Sequence, residues 1–457
     1  MRMASCGAGV ILSIVLVAGT DIAEAQTPPS VFADLPGLTP TQRSVAAGIQ
    51  TVCQQLTPIS NQLSGDQLDL FNTCTGLVQN SNALQGSGAM GASFGLSSTE
   101  LAAALGRIAP DEVPAMTALQ VETGANQFKL IVPRLVALRQ GVGGIAVNLD
   151  LRGAPLSTAG LLQKDALGGG ASADAGRTGR WGFFVDGNVS FGEKDTTSRE
   201  VGFDFVSWGA VAGVDYRLMD NLVLGAALTY AFTDVDLDQF LGDSKTHSVG
   251  PLLYGTYYAG PLYVDAHAGA TWNFYDTTRR IVFATIDRTA SGDTDGQEYV
   301  AGAGVGYGIS RGPLTVTPFA RLEYTHLDID GYSERGAGGL DLAIRDQDID
   351  SLQTALGAQI SYAFSTPSAV LVPQVRGEWR HEFMNDSRSI TARYTSDPFN
   401  TVFTVPTDDP DRDFFAVGVG MSAVFARGVG AFVHYETVLG LRDFSHHDVR
   451  VGLRFEL

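Results

Sequence analysis

Hydrophobic residues follow two different periods along this chain. Before residue 140 they recur every three or four positions, which is the spacing of helices with one buried face. From Trp181 to the end they alternate with polar or small residues, as in strands whose successive side chains point to opposite faces. The pattern therefore predicts a small helical region followed by a larger β region.

The helical region is expected to contain several short helices. Pro40 marks the start of the first, because proline is favoured at the first helical position, and residues 63–77 form the second. A third helix begins at Ser98. A longer one is expected from Pro110 to Arg139, with Pro133 as the candidate for a kink.

The β region contains about twelve strand-like segments of roughly 10 to 15 residues, long enough for tilted strands to cross a bilayer. Many of them have one apolar face and one polar or small face, and no helices are interleaved to cover the apolar side. This combination predicts an all-β transmembrane barrel of antiparallel strands, preceded by the α-helical N-terminal region. The segments start near Trp181, Asp204, Asn221, Lys245, Leu262, Gln297, Leu314, Ser351, Val370, Phe414, Val429 and Asp448.

The connections between these segments alternate in length. Short turns, such as those at 219–221 and 259–261, alternate with long Asp-rich loops at 276–296, 328–350 and 385–413. Bacterial outer-membrane barrels have this asymmetry, with short turns on the periplasmic side and long loops outside. The last segment runs to the end of the chain, which fits a barrel in which the last strand pairs with the first.

The net charge argues against one function, nucleic-acid binding, and the N-terminal residues indicate export. The formal net charge is -19, and such an acidic chain is a poor candidate for binding nucleic acid, which selects basic surfaces. Residues 1–25 resemble a signal peptide, with the basic Arg2, an apolar run at 9–18 and a small-x-small cleavage site ending at Ala25. The alternative is a membrane anchor, but the run is shorter than the ~20 residues that a spanning helix needs.

Two cysteines, Cys53 and Cys74, remain after the signal peptide is removed. Exported proteins commonly form disulfides, so a bond between these two residues is expected to join two helices as a hairpin. Two free thiols are the alternative.

Several short motifs resemble the autotransporter β-domain of type V secretion. They are W-G-F-F at 181–184, G-F-D at 202–204, G-V-D-Y-R at 213–217 and W-R-H-E-F at 379–383, followed by the alternating C-terminal strand. The final residue, Leu457, departs from the family, in which an aromatic residue is commoner at that position. The resemblance covers the chain from about residue 180 to its end.

The resemblance implies an outer-membrane barrel of twelve strands that carries its own N-terminal region to the cell surface. It also implies a helix in the pore, and the segment from Pro110 to Arg139 resembles the helix often found upstream of such barrels. We therefore expect a signal peptide at 1–25, a helical passenger-like region at 26–140, a Gly-rich linker or pore segment at 141–180, and the barrel at 181–457.

The resemblance also implies partners. The barrel would contact outer-membrane lipid, the secretion translocon would export the chain, and the barrel is expected to be monomeric. The barrel-assembly machinery would recognise the alternating C-terminal residues. These are Val451, Leu453, Phe455 and Leu457.

A barrel pore only ~10 Å across holds one helix or an extended hairpin. Charged residues that face inward are expected to line this pore and to bind each other and the threaded segment; the alternative is a lumen that is simply polar and hydrated. The residues are Arg321, Glu323, Arg376, Glu378, Arg380 and Glu382.

No sequence pattern predicts catalysis, a cofactor or a metal site. Residues 91–95 match G-x-S-x-G, but they lie in a Gly- and Ser-rich loop, and no histidine precedes Trp181. Acidic loops such as 408–413 lack the glycine and the terminal glutamate of an EF-hand, so we interpret them as solvated. Two other functions stay open: a stand-alone outer-membrane channel with periplasmic or lumen-plugging helices, and a barrel lipase, for which no motif is apparent.

Overall fold

The computed structural model describes residues 32–86, 91–117, 130–141, 149–150, 155–156, 180–384, 388–425 and 429–456. The expected signal peptide and most of the expected linker at 141–180 lie outside these residues. Two short strands in the linker, Leu149–Asp150 and Pro155–Leu156, pair with each other.

Twelve long antiparallel strands form a closed barrel, as predicted. The last strand pairs with the first from Phe444↔Lys194 to Glu456↔Gly182, so the sheet has no open edge at this seam. Short strands at Ile309–Arg311 and Phe364–Ser365 continue the sixth and eighth strands. The barrel strands are β1 (Trp181–Lys194), β2 (Phe203–Met219), β3 (Leu222–Leu237), β4 (Gly242–Ala259), β5 (Leu262–Phe283), β6 (Ile286–Tyr307), β7 (Leu314–Ile329), β8 (Gln347–Tyr362), β9 (Ala369–Glu382), β10 (Asp413–Phe425), β11 (Val429–Leu439) and β12 (Phe444–Glu456).

The outside of the barrel is apolar around its middle. Leu228 and Leu253 are 59% and 63% exposed, and Val451 and Leu453 of the last strand are 54% and 52% exposed. A soluble protein rarely exposes such a continuous apolar surface, whereas lipid tails cover it at no cost. Aromatic side chains border this band near both barrel ends. They include Trp181, Tyr257, Tyr307 and Tyr362 at one end, and Trp208, Tyr230, Trp272 and Tyr324 at the other.

The two ends of the barrel differ in their connections. At one end, which we call the turn end, β2 and β4 connect to the next strands through residues 220–221 and 260–261. At the other, the loop end, long connections follow β7 and β9. The predicted loop at 276–296 is wrong, because β5 and β6 continue as a paired hairpin to Phe283↔Ile286. This hairpin extends beyond the apolar band, so its polar sequence does not show the alternation that lipid imposes.

Three helices of the helical region begin at, or within two residues of, the positions that the sequence predicts. They are α1 (Pro40–Leu56), α2 (Gly65–Leu84) and α3 (Ser98–Ile108). Thr39 and Gln42 form a capping box at the start of α1, and Ser97 and Glu100 form one at α3. Each box satisfies two backbone N–H groups that have no partner inside the helix.

The helical region packs against the loop end of the barrel. We call residues 32–113 the cap, although residues 87–90 within it are outside the described structure. Cap side chains such as Val52 and Leu105 share one buried cluster with Ile281 of β5 and Leu340 of the β7–β8 connection. The cap and the barrel loops therefore form a single hydrophobic core.

A small sheet at the loop end supports this core. We call it the outer sheet; Phe403 and Tyr394, two of its residues, are buried in the cluster that contains α1. A Cβ atom at Gly48 of α1 would lie 2.9 Å from the Cβ atom of Phe403, so the helix needs glycine at this close approach. The sheet consists of Tyr332–Ser333, Leu342–Ile344, Ser389–Tyr394 and Val402–Pro406.

Polar contacts fix the position of the cap. Arg288 of β6 pairs with Asp69 of α2, with 2.7 Å between Nη2 and Oδ1. Arg107 at the end of α3 donates to the carbonyl of Val282 at the tip of the β5–β6 hairpin. The long hairpin therefore acts as a support for α2 and α3.

The expected disulfide is present. Cys53 of α1 and Cys74 of α2 are bonded, with 5.7 Å between their Cα atoms. The bond joins the two helices as a hairpin, as the sequence indicates.

The predicted helix from Pro110 to Arg139 is not continuous in the described residues. Residues 112–117 are helical, residues 118–129 lie outside the description, and α4 spans Ile131–Gly141. Pro133 lies in the first turn of α4 rather than at a kink, since a missing backbone N–H costs nothing there. Among the described helices, none has both the length and the apolar character required to cross a membrane.

Removal of the disulfide should weaken the cap selectively. Replacing Cys53 and Cys74 with serine opens a loop of 21 residues in sequence, which should cost the cap about 3 kcal/mol of unfolding free energy. Hydrogen exchange of α1 and α2 amides would report this loss, with the β8 amides as the internal control. Equal protection of α1 and α2 in both proteins would contradict a stabilising role.

Candidate functional site

The lumen of the barrel has two unlike walls. Strands β1 to β6 contribute apolar and aromatic side chains near the turn end, and α4 packs against them. Strands β7, β9, β11 and β12 contribute a chain of charged side chains. The lumen is therefore divided into a seat for a helix and an ionic wall.

The helix seat is a compact apolar cluster. Ile131 and Leu135 of α4 are buried against Phe184 of β1 and Leu252 of β4. Each fully buried aliphatic side chain contributes about 1.5–3 kcal/mol relative to an exposed one, so the cluster favours the helix inside the barrel.

A buried ion pair fixes α4 on this seat. Arg134 Nε lies 2.7 Å from Asp215 Oδ2, and Arg134 Nη2 lies 2.8 Å from Oδ1, a bidentate pair between α4 and β2. The Tyr254 hydroxyl donates to the same carboxylate at 3.1 Å. Gly182 of β1 lies against Arg134, and a Cβ atom at this position would collide with the guanidinium. The wall is therefore shaped around the arginine.

The centre of the ionic wall is Glu378, whose side chain is almost completely buried. Its carboxylate accepts from Arg321 Nη2 at 2.8 Å, from Arg376 Nη2 at 2.7 Å and from Arg380 Nε at 2.6 Å. Three cations around one carboxylate leave an excess of positive charge. Glu436 offsets part of this excess, because its Oε1 atom accepts a hydrogen bond from Arg380 Nη2 at 2.9 Å. The wall is thus a network rather than a set of separate pairs.

The network continues across the barrel seam. Arg450 of β12 lies 3.6 Å from Glu436 and pairs with Asp448 of the same strand. Asp448 accepts hydrogen bonds at 2.8 Å from both Asn188 and Ser190 of β1. Side chains thereby reinforce the backbone pairing that closes the barrel.

Small residues on β10 make room for this network. Gly418 and Gly420 lie beside the ring of His434 on β11, and a Cβ atom at either position would come within 2.7 Å of a ring atom. Long inward side chains on β9 and β11 therefore flank small residues on β10, which lets them reach one another over that strand.

Four of the six residues predicted to line the pore are joined by hydrogen bonds in one network. Arg321, Arg376, Glu378 and Arg380 form the network, and Glu323 lines a cavity of about 110 Å³ between α4 and the barrel wall. Glu382 lies toward the loop end and accepts from the Ser351 hydroxyl at 2.6 Å.

Among the C-terminal residues, Val451 and Leu453 face outward. The side chain of Phe455 and the whole of Leu457 lie outside the described part of the chain. Their recognition by the assembly machinery stays a prediction.

Sequence reasoning missed the residues that seat the helix. Arg134 is a charged residue within the apolar stretch I-V-P-R-L-V-A-L, which is a signal for a buried partner. Its partner, Asp215, lies in the G-V-D-Y-R motif at 213–217, and nothing in that motif marks it as the residue that meets the helix. Strand register decides which inward carboxylate meets the helix, and sequence alone does not give it.

Comparison with known proteins identifies relatives of the barrel region. The family described as "Autotransporter beta-domain" matches residues 183–436. Esterase EstA of Pseudomonas aeruginosa is 26% identical over 254 residues, which cover 54% of this chain and 38% of the esterase. Outer membrane protein A of Rickettsia conorii is 29% identical over 283 residues, which cover 59% of this chain and 13% of that protein. The chain therefore spans well under half the length of these relatives.

A solved structure has the same fold. The translocator domain of autotransporter NalP from Neisseria meningitidis superposes with a TM-score of 0.50 at 17% identity. The superposition covers 61% of this chain and 89% of that domain.

Breaking the helix anchor should loosen the plug. Arg134→Met leaves Asp215 as a buried charge without its cation, which should destabilise the seated helix by about 3–5 kcal/mol. We expect larger and more frequent conductance steps in planar bilayers than for the unaltered protein. The control is Arg180→Met, an exposed arginine whose guanidinium donates to the Tyr216 hydroxyl. Unchanged conductance in Arg134→Met would exclude an anchoring role.

Breaking the ionic wall should affect assembly instead. Replacing Arg376 and Arg380 with leucine leaves Glu378 with one of its three cations, so we expect poor barrel closure and loss of surface display. Heat-modifiable migration on a gel and surface labelling would measure the two effects. A matched control replaces Arg280 and Arg335, both largely exposed, with leucine. Normal display with the Arg376 and Arg380 changes would contradict the role of the network.

Proposed function

Because the chain belongs to the autotransporter β-domain family, we propose that the product it exports is its own cap, which stays docked on the barrel that delivered it. The barrel lies in the outer membrane and translocates the N-terminal region to the cell surface.

The shared core of cap and loops is the observation that carries this proposal. Leu340, Leu342 and Ile344 of the barrel loops are buried together with side chains of all three cap helices. Removal of the cap would expose these loop residues to water, at a free-energy cost of about 25 cal/mol for each Å² of apolar surface. A passenger destined for release has no need of such a surface on its barrel.

The position of α4 supports the same route. The cap lies at the loop end, whereas Arg134 of α4 contacts Gly182 and Asp215 at the turn end of β1 and β2. The chain therefore extends from one end of the lumen to the other before β1 begins. This is the arrangement expected of a barrel after its passenger has reached the surface, with α4 as the segment that stays in the pore.

We propose that the exported region has no catalytic activity. The Ser93 hydroxyl of the G-x-S-x-G match donates to Asn80 Oδ1 at 3.1 Å, and Asn80 Nδ2 in turn donates to the Leu96 carbonyl. These bonds hold the loop that precedes α3, so they supply a structural reason for the motif. The esterase relative is named for an activity of the whole esterase, and this chain covers 38% of that protein.

The remaining partners follow the family. We propose that the secretion translocon exports the chain through its signal peptide and that the barrel inserts as a monomer. The barrel-assembly machinery would then recognise the apolar C-terminal positions. Val451 and Leu453 face the lipid side, where an assembly factor can reach them.

Protease treatment of intact cells tests the export route. We expect tags placed near Ser30 and near Gly88 to be lost without rupture of the outer membrane, because both would lie outside the cell. A periplasmic protein with the same tag serves as the control and should survive. Protection of both tags until the membrane is permeabilised would instead place the helices in the periplasm and favour a plugged channel.

A further inference from the structure

The junction between the cap and the barrel holds a buried cluster of ionisable side chains. Asp111 and Glu112 lie just beyond the end of α3, after Ala109 and Pro110, and are 6% and 0% exposed. Arg279 of the β5–β6 hairpin and Glu334 of the β7–β8 connection are buried beside them. Such groups are rarely buried unless they are paired, so the partners of each one decide whether it can carry a charge.

Among the described residues, Arg279 is the cation of this cluster, and it is already paired with Glu334. Arg279 Nε lies 2.9 Å from Glu334 Oε1, and the two side chains form a bidentate pair. The same guanidinium donates to the carbonyls of Ile108, at the end of α3, and of Leu340, at 3.0 and 3.1 Å. Arg279 therefore neutralises Glu334 and caps the C-terminus of α3, where a positive charge is favourable.

Asp111 and Glu112 have no cation of their own in the described structure. Glu112 accepts one hydrogen bond, from the Tyr332 hydroxyl at 3.3 Å, and its other oxygen has no hydrogen-bond partner among the described residues. The charged and titratable groups that face the two carboxyls from the surrounding elements are Arg279, Glu334, Tyr332 and Glu200. Tyr394 and Asp341 lie on the far side of the cluster, where they interact with Arg279 and Glu334.

Ionisation of Asp111 and Glu112 would therefore place uncompensated negative charge in a buried interface. Burial raises the pKa of Asp111 to about 7, and the negative charge of Glu200 adds to this effect. Burial also raises the pKa of Glu112 to about 8, with repulsion from Glu334 as the second cause. Both directions agree with the geometry, in which one guanidinium faces three carboxyl groups.

We propose that the cap is docked on the barrel in a protonated form, with Asp111 and Glu112 uncharged, and that loss of these protons undocks the end of the cap that contains α3. The inference uses the docked cap described above, and it is tested on purified protein. Its failure would therefore leave the export route untouched.

The sign of the pH dependence follows from the two raised pKa values. Carboxyls with ordinary pKa values of 3.8 and 4.5 ionise in the undocked state long before they do so in the docked state. Docking stability is complete below these ordinary values and is lost as the pH rises through about 7 and 8. Between pH 5.5 and 8.5 we expect the undocked fraction to rise at least about tenfold, the factor that corresponds to one pKa unit.

Hydrogen exchange of the full chain in detergent micelles measures this fraction. The α3 amides, residues 98–108, are followed at pH 5.5 and 8.5, and each rate is corrected for the intrinsic pH dependence of exchange. We expect α3 protection to fall at least about tenfold at the higher pH, while the amides of β8 stay equally protected at both. Equal α3 protection at both pH values would overturn the proposal.

Two variants test whether Glu112 and Asp111 are the groups whose ionisation undocks α3. Glu112→Gln keeps the shape of the neutral side chain but cannot ionise, so α3 protection should stay high and vary much less with pH. Asp111→Asn should reduce the pH dependence without abolishing it. Glu193→Gln, an exposed carboxyl on β1, is the matched control and should retain the full response. The proposal fails if Glu112→Gln lowers α3 protection at both pH values and keeps the tenfold change, because Glu112 would then stabilise the cap as an ion.

Discussion

Backbone hydrogen bonding in lipid is the constraint on which this structure depends. An N–H or C=O group without a partner costs several kcal/mol in the bilayer interior, so a sheet can cross it only if its first and last strands pair. Here β12 and β1 pair over thirteen positions, and Asp448 adds side-chain bonds to Asn188 and Ser190 at the same seam. The strand count, the alternation of side chains and the short turns all follow from the need to close.

Closure also creates the lumen, and the lumen has to be filled or hydrated. In this barrel one wall is filled by an apolar helix and the other by charges that satisfy one another. A buried pair such as Arg134–Asp215 adds little stability over apolar packing, but it penalises any other position of the helix. The pair therefore defines where the helix sits, while the apolar contacts supply most of the free energy.

The barrel could be predicted from sequence because lipid imposes a simple rule on every strand. The twelve segments, the closed fold and the outward position of Val451 and Leu453 all follow from alternation. The rule ends at the edge of the bilayer. The sequence predicts a loop where β5 and β6 extend as a hairpin, and it places the start of β6 near Gln297 rather than at Ile286. The reason is that beyond the membrane this hairpin supports the cap instead of facing lipid. The partners of Arg134 and Glu112 depend on strand register and on loop positions, which no local pattern encodes.

The shared core of cap and loops has a consequence for how this protein can change. In many modular proteins one domain can be exchanged for another because few contacts cross the boundary. Here Leu340, Phe403 and Gly48 lie in different parts of the chain but pack in one interior. A substitution at Leu340 or Phe403 therefore changes the packing of α1, which is far away in sequence. The exported region and the loops of its exporter must therefore diversify together, and a foreign cargo grafted onto this barrel would leave the loops without their partner.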